Sequence, residues 1–152
     1  MRAHASTSDL TGPGLKCECG GRFHLATLKN LNVRWVLGLD ITLPEIQGLR
    51  CSKNAEHVTI PGETALWLRE ALVRVILKRP HRLEGMLVRN LRRYMGLARD
   101  NLASILKVKP ETVSRWENDS RPISASAEQA LRSMALRELV DRFLRRNRAE
   151  HP

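Results

Sequence analysis

Three cysteines and one histidine are the residues of this chain best suited to bind a metal ion. Cys17 and Cys19 lie in the segment CECGG, and Cys51 precedes His57 in CSKNAEH. Three thiolates and one imidazole form a ligand set that zinc takes in tetrahedral sites. The spacing, C-x-C and then C-x5-H, differs from the repeated C-x-x-C of a zinc knuckle. A Zn²⁺ site and ordinary reduced thiols are therefore both interpretations of these four residues.

The segment KPETVSRWEND, residues 109–119, is the second stretch whose residue types suggest a functional role. Its proline suits the first turn of a helix, and Val113 and Trp116 lie three apart on one edge. Together with LARDNLASILKV before it, this segment has the plan of a helix-turn-helix, in which the second helix enters the major groove of DNA. An arginine there can donate two hydrogen bonds to guanine. The outer face predicted to reach DNA comprises Glu111, Thr112, Ser114, Arg115 and Asn118.

These residues have two other interpretations. The segment could be an amphipathic helix whose polar face only meets solvent. An enzyme would need a nucleophile beside a base, or paired carboxylates, and the sequence contains no such cluster. The sequence therefore predicts a binding protein and not an enzyme.

The residues before position 63 have the character of a small β domain. Residues 1–15 are polar and rich in small residues, which predicts a disordered arm. Between 16 and 62, the segments RFHLATL, VRWVLGLDITL and HVTI are rich in β-branched and aromatic residues. Turn signals separate these predicted strands, at Gly20–Gly21, Asn30, Pro44, Gly48 and Pro61–Gly62.

Almost everything after residue 62 has helical periodicity. A linker helix is predicted over 63–82, where ETALWLREALVRVILKR has a broad apolar face and ends at Pro80. Further helices are predicted at about 84–95, 99–106, 110–117 and 124–146 within a DNA-binding and dimerisation domain of residues 83–152. The predicted fold class is α+β.

Composition restricts the partners. The 152 residues carry a formal net charge of +10, which suits a polyanion such as nucleic acid. The longest apolar runs are far shorter than the roughly 20 residues of a membrane span, and the first residues do not resemble a signal peptide. An odd number of cysteines argues against a disulfide framework. We therefore expect a cytoplasmic protein with no membrane partner.

The last predicted helix has more apolar surface than a domain of this size can bury. Its apolar face comprises Ala127, Ala130, Leu131, Met134, Leu136, Leu139, Val140, Phe143 and Leu144. A homodimer would cover the excess and place two recognition helices about 34 Å apart, the repeat of a DNA palindrome. Alternatively, the linker helix folds back over this face within one chain.

The segment LVRNLRRYMGLARDNLASILKVKPETVSRWENDSRPIS resembles the Cro/repressor class of helix-turn-helix domains. The resemblance implies an ion pair between Arg92 of the first helix and Glu117 after the tryptophan. It implies contacts with DNA phosphates as well, which we assign to Arg99, Lys109, Asn118 and Arg121. Base reading is assigned to Glu111, Thr112, Ser114 and Arg115. The chain departs from the class at Lys107 and Asp119, where glycine is usual, and at Ala98 and Lys109, where serine caps are usual.

The order of the parts resembles a narrower family. A cysteine-bearing β domain, a linker helix and a Cro/repressor domain are the parts of the MqsA-type antitoxins, with their YgiT-like zinc finger. The resemblance implies an N-terminal domain that binds zinc and a toxin ribonuclease. It also implies a C-terminal domain that dimerises, binds a palindromic operator and represses its own operon. The alternative is a stand-alone regulator whose N-terminal domain senses a metal or a ligand.

Overall fold

The fold is mixed α+β, with a three-stranded sheet followed by helices. The computed structural model describes residues 14–150. Residues 1–13 of the expected arm lie outside this range. The elements in chain order are β1 (Phe23–Asn32), α1 (Arg34–Leu37), β2 (Thr42–Cys51), β3 (Val58–Thr59), α2 (Gly62–Lys78), α3 (Gly85–Tyr94), α4 (Arg99–Ile105), α5 (Pro110–Glu117) and α6 (Ala125–Glu150).

The sheet is antiparallel, with β2 between β1 and β3. In the register of β1 and β2, Phe23 lies opposite Cys51 and Asn32 opposite Thr42. The strand β3 is short and pairs only with Leu49 and Arg50 near the end of β2. The part of β2 that carries Cys51 is therefore held close to both of its neighbours.

The expected strand over residues 33–43 is wrong. Residues 34–37 form α1, and Gly38 ends it with a φ of 68° and an N–H that donates to the carbonyl of Arg34. Val33, Val36 and Leu37 are buried, so tertiary packing supports this single turn despite the strand-like composition. Only Thr42 and Leu43 of the expected segment belong to a strand.

Three expected turns, at Asn30, Pro44 and Gly48, are also wrong, because Asn30 lies within β1 and the other two residues lie within β2. Pro44 has no N–H, and the ladder has no pair between it and Asn30, whose φ is 50°. This part of β2 lies beyond the two residues that pair with β3. Gly48 leaves room for the side chain of Leu28, which a Cβ at position 48 would meet. The three residues thus mark local irregularities within β1 and β2 and not the ends of strands.

The chain divides into two compact units between Arg69 and Glu70, inside α2. Helix α2 begins at Gly62 and ends at Lys78, near the expected bounds of the linker helix. In the second unit, the buried apolar side chains come from α2, α3, α4, α5 and α6 and from the loops between them. They include Val73, Ile76, Leu87, Val88, Leu91, Leu102, Ala103, Val113, Trp116, Ile123, Leu131 and Ala135.

Helices α3, α4 and α5 are each followed, two positions after their last residue, by a residue with left-handed backbone. These residues are Gly96, Lys107 and Asp119, with φ values of 69°, 54° and 57°. After α4, the N–H of Val108 donates to the carbonyl of Ala103 and that of Lys107 to Ser104, which is the Schellman pattern. This turn separates α4 from α5. Asp119 also uses its side chain, because its Oδ1 accepts the N–H of Gly85 at 2.6 Å.

We expect Lys107→Gly to stabilise the second unit by about 1 kcal/mol. A left-handed lysine costs roughly 1–2 kcal/mol, and part of this gain is offset because glycine is freer in the unfolded chain. Asp119→Gly is the matched control, since it relieves the same backbone conformation but loses the hydrogen bond to Gly85. Urea unfolding should show a gain for the first variant only. Equal gains would contradict the role of the Asp119 side chain.

Among residues 14–150, none of the helices combines the length and the apolar character that crossing a bilayer requires.

Candidate functional site

The four expected metal ligands lie together in the first unit. The ligand atoms of Cys17, Cys19, Cys51 and His57 all lie within 4.8 Å of one another. Sγ of Cys17 is 3.2 Å from Nδ1 of His57, and Sγ of Cys19 is 3.4 Å and 3.3 Å from the sulfur atoms of Cys17 and Cys51. In a tetrahedral zinc site with Zn–S bonds of about 2.3 Å, ligand atoms are separated by about 3.6–3.8 Å. The four residues could therefore hold a metal ion after small adjustments.

Local backbone structure explains why the two halves of the cluster, Cys17 with Cys19 and Cys51 with His57, meet. The N–H of Gly20 donates to the carbonyl of Cys17, which closes a turn, and Gly20 has a φ of 78° that favours glycine. A Cβ on Gly21 would clash with Sγ of Cys51, so the second glycine permits the close approach. On the other half, the N–H of Cys51 donates to the carbonyl of His57 at 3.0 Å.

The two buried thiols have different acidities. Burial raises the pKa of Cys17 to about 11; a backbone hydrogen bond from Cys19 acts to lower this pKa, and the thiols of Cys19 and Cys51 act to raise it. Burial also acts to raise the pKa of Cys51, but hydrogen bonds from the backbone N–H groups of Lys53 and Asn54 outweigh it and lower the pKa to about 7. Metal ligation requires thiolates, so a metal ion that binds here at neutral pH displaces at least the proton of Cys17.

The second group of expected residues lies on and around α5. Val113 and Trp116 are buried, while Glu111 and Arg115 are exposed. Thr112 and Ser114 are half-buried. The polar residues expected to read bases thus lie on the part of α5 that is not packed into the unit. The spacing of Val113 and Trp116 in the sequence predicts which side of α5 is buried and which is not.

Two of the residues expected to contact phosphates line a common cavity. It has a volume of about 290 Å³ and is lined by Val108, Lys109, Thr112, Trp116, Arg121, Pro122 and Ser124. Lys109 and Arg121 supply positive charge, and Thr112 and Ser124 supply hydroxyl groups, beside the first turn of α5. Such a lining suits an anion, because ammonium, guanidinium and hydroxyl groups all donate hydrogen bonds.

The structure brings Arg92 and Glu117 together in the interior. Nε of Arg92 is 2.5 Å from Oε1 of Glu117, and its NH2 is 3.2 Å from Oε2. The side chain of Glu117 has no exposed surface. Burial acts to raise the pKa of Glu117, but the hydrogen bonds from Arg92 and Arg99 outweigh it and lower the pKa. The carboxylate therefore stays ionised and joins α3 to α5.

Arg99 has a second role beside the expected phosphate contact. Its Nε donates to Oε2 of Glu117 at 2.8 Å, while 46% of its side-chain surface stays exposed. Arg89 also faces this carboxylate, with its Nε 3.6 Å from Oε2. Glu117 thus lies among three arginines, which anchor the end of α5 to α3 and to the start of α4.

Sequence reasoning missed Arg89 and the side-chain role of Asp119. NH2 of Arg89 donates to Oδ1 of Asn118 at 3.0 Å. Asp119 accepts the N–H of Gly85, where a Cβ would clash with the backbone of Trp116 and Glu117. Both contacts join residues far apart in sequence, and nothing in the spacing of either pair indicated them.

Helix α6 has a buried face and an exposed apolar stripe. Leu131 and Ala135 are buried, whereas Leu136, Val140, Phe143 and Leu144 are each about half exposed. These four residues, which we name the α6 stripe, follow the spacing of one helix face. Within the second unit, α2 contacts α6 through Arg132, which donates to the carbonyl of Ile76, and Arg146, which pairs with Glu70. These contacts leave the stripe exposed.

Comparisons with known proteins gave no relatives: no family model, no curated protein and no solved structure matches this chain.

Proposed function

We propose that this protein is a sequence-specific DNA-binding transcriptional regulator that acts as the antitoxin of a toxin–antitoxin system. In this proposal it binds a palindromic operator as a homodimer, represses its own operon and neutralises a toxin protein through its N-terminal domain. It is not an enzyme. We assign a Cro/repressor-type helix-turn-helix to residues 83–152 and a zinc finger to residues 16–62.

The observation that carries DNA binding is the setting of α5. Its outer face offers Glu111, Thr112, Ser114 and Arg115, and a basic cavity with Lys109 and Arg121 lies beside its first turn. Base-reading groups flanked by phosphate-binding cations are what a major-groove reader requires. The net charge of +10 adds a general attraction to DNA. A helix with a merely solvated face needs neither the cavity nor the anchoring of its end by Glu117.

Zinc is the metal that we assign to the four-residue cluster. Three sulfur atoms and one imidazole nitrogen suit Zn²⁺ better than a hard cation such as Mg²⁺, which prefers oxygen ligands. Cys17, Cys19 and Cys51 would bind through Sγ and His57 through Nδ1, the nitrogen that lies nearest Cys17. All four ligands come from the protein, so the ion would have a structural role and not a catalytic one.

Dimerisation is supported by the α6 stripe. Four large apolar side chains that remain half exposed on one helix face are typical of an interface. A two-fold partner would bury the stripe and set two copies of α5 at half-sites of a palindrome. If the stripe is the interface, Phe143→Glu should give a folded monomer that binds a full operator no more tightly than a half-site.

The rival function is a stand-alone regulator whose first unit senses a metal ion. The Cys/His cluster would then be a sensing site whose occupancy changes DNA affinity. An antitoxin should instead bind the operator similarly with and without zinc in the medium and should protect cells from the product of a neighbouring gene. Zinc-dependent operator binding without such protection would favour the sensor.

DNA binding can be tested by selecting bound fragments from a random duplex library with the purified full-length protein. We expect enrichment of one palindromic sequence, found also upstream of the protein's own gene. A pool that shows no enriched sequence after repeated selection would overturn sequence-specific binding.

The base-reading role of Arg115 gives a separate prediction. Arg115→Ala should cost about 1–3 kcal/mol in operator binding and relax the preference at one base pair, because an arginine can pair with a single guanine. Lys109→Ala is the matched control, which should weaken operator and random DNA alike and reduce the salt dependence. Equal loss on both kinds of DNA for Arg115→Ala would contradict the assignment.

A further inference from the structure

Arg89 extends from α3 to the last turn of α5. Its NH2 nitrogen is 3.0 Å from Oδ1 of Asn118 and 3.3 Å from the backbone oxygen of Glu117. Its Nε lies 3.6 Å from the Glu117 carboxylate, within ion-pair distance. Two hydrogen-bond acceptors and one ion-paired carboxylate, all on two neighbouring residues, therefore hold one guanidinium in place.

The contact fixes the orientation of the Asn118 side chain. A guanidinium has only donors, so the atom of Asn118 that faces Arg89 must be the amide oxygen. The NH₂ group, on the other branch of the same planar amide, is therefore directed away from Arg89. Asn118 is exposed at the end of α5, so this donor is available at the surface next to the proposed DNA-reading face.

We propose that Arg89 is a positioning residue, which holds the Asn118 amide with its NH₂ group toward a phosphodiester of the DNA backbone. This inference rests on the proposed DNA-binding function. A phosphate accepts hydrogen bonds and repels acceptors, so an amide turned by half a rotation would present its oxygen and weaken the contact. Arg89 would thus contribute to DNA affinity through Asn118 and not through its own contact with DNA.

A double-mutant cycle on the full-length protein tests this coupling. The probe is a short labelled duplex of random sequence, because a phosphate contact does not depend on sequence. Arg89→Gln and Asn118→Ala should each lower the affinity by about 2–10-fold, the range of one hydrogen bond. Arg89→Gln should have a much smaller effect in the Asn118→Ala protein. Losses that multiply in the double variant would overturn the proposal.

The salt dependence distinguishes positioning from direct contact. An amide releases no counterion, so Arg89→Gln should leave the slope of log K against log salt concentration close to that of the charge-matched control Arg137→Gln on α6. A slope that falls by about 0.9 relative to this control would indicate a direct Arg89–phosphate contact and overturn the proposal.

Asn118→Asp gives a test that leaves Arg89 unchanged. The carboxylate can still accept from Arg89, so the variant should fold, but it offers no donor to a phosphate. It should bind the duplex more weakly than Asn118→Ala, and wild-type affinity would overturn the proposal. A wild-type protein that binds no DNA would overturn the proposed function together with this inference. Wild-type binding with an additive cycle would overturn the inference alone.

Discussion

Removing zinc with a strong chelator should unfold the sheet of the first unit while leaving helices α3, α4 and α5 folded. This is the largest effect that we expect. Structural zinc contributes apparent binding free energies of about 10–16 kcal/mol, and where the site forms only in the folded chain this energy is folding energy. The core of a unit this small rarely supplies more than about 3–5 kcal/mol, so it has little to replace the ion. Hydrogen exchange followed by mass spectrometry would report the two units separately in the same sample.

Cys51→Ser and His24→Ala are the paired variants for this experiment. Cys51 belongs to the cluster, whereas His24 is exposed on β1 and is not one of the four. Only the first should lose bound zinc and the protection of β1 and β2. Elemental analysis should find one zinc per chain in the wild-type protein. Protein that is expressed with ample zinc but carries none, and whose exchange does not respond to the chelator, would show that the four residues are reduced thiols and an ordinary histidine.

Glu117→Gln should lower the free energy of unfolding of the second unit by about 3 kcal/mol. The substitution leaves the buried guanidinium of Arg92 without a charged partner, and breaking a buried pair in this way typically costs about 3–5 kcal/mol. Glutamine can still accept one hydrogen bond, which places the expected loss at the lower end. Urea unfolding monitored by the fluorescence of Trp116, in a background with Trp35→Phe and Trp67→Phe, measures this loss. Glu111→Gln, which removes an exposed carboxylate from the same helix, should change stability little.

The same substitution should change how stability depends on pH. The pKa of Glu117 is lowered in the folded protein, so its contribution is complete above the pKa of an unfolded glutamate, about 4.3. The contribution is lost as the pH falls through the lower, folded pKa. The difference between wild type and Glu117→Gln should therefore be largest near neutral pH and shrink in acid. A difference that is constant down to pH values well below the unfolded pKa would contradict this.

The coupling of Arg92 to Glu117 can be measured by adding Arg92→Met to the same series. If the two side chains stabilise each other, the double variant should lose less than the sum of the single losses. Additive losses would mean that the 2.5 Å contact contributes nothing of its own.

The helices of the second unit could be predicted because their apolar residues follow one period. Val113 and Trp116 fix the buried edge of α5, and the proline at its first position fixes its start, so the expected bounds of 110–117 match the structure. The first unit was harder to predict. Residues 35–37 are aromatic, β-branched and aliphatic, which suits a strand, and only the buried surroundings of Val36 and Leu37 favour a helical turn.

The candidate functional sites, too, could be predicted only in part from the sequence. The residue types alone predicted the Cys/His cluster. The sheet register brings its two halves together, because Phe23, shortly after the CECGG turn, pairs with Cys51. The contacts of Arg89 with Asn118 and of Asp119 with Gly85 join residues far apart in sequence. No periodicity within one segment encodes such pairs. They follow from how α3 packs on α5, which is a property of the folded unit.

The α6 stripe has a consequence for gene dosage. If pairing through Leu136, Val140, Phe143 and Leu144 is required to occupy a palindrome, operator occupancy at low concentration grows with the square of the amount of protein. Halving the supply of the protein would then more than halve repression. A cell that degrades part of its pool of this protein would pass from a silent to an active operon over a narrow range of concentration. The steepness of that transition would be determined by four side chains on a face that does not touch DNA.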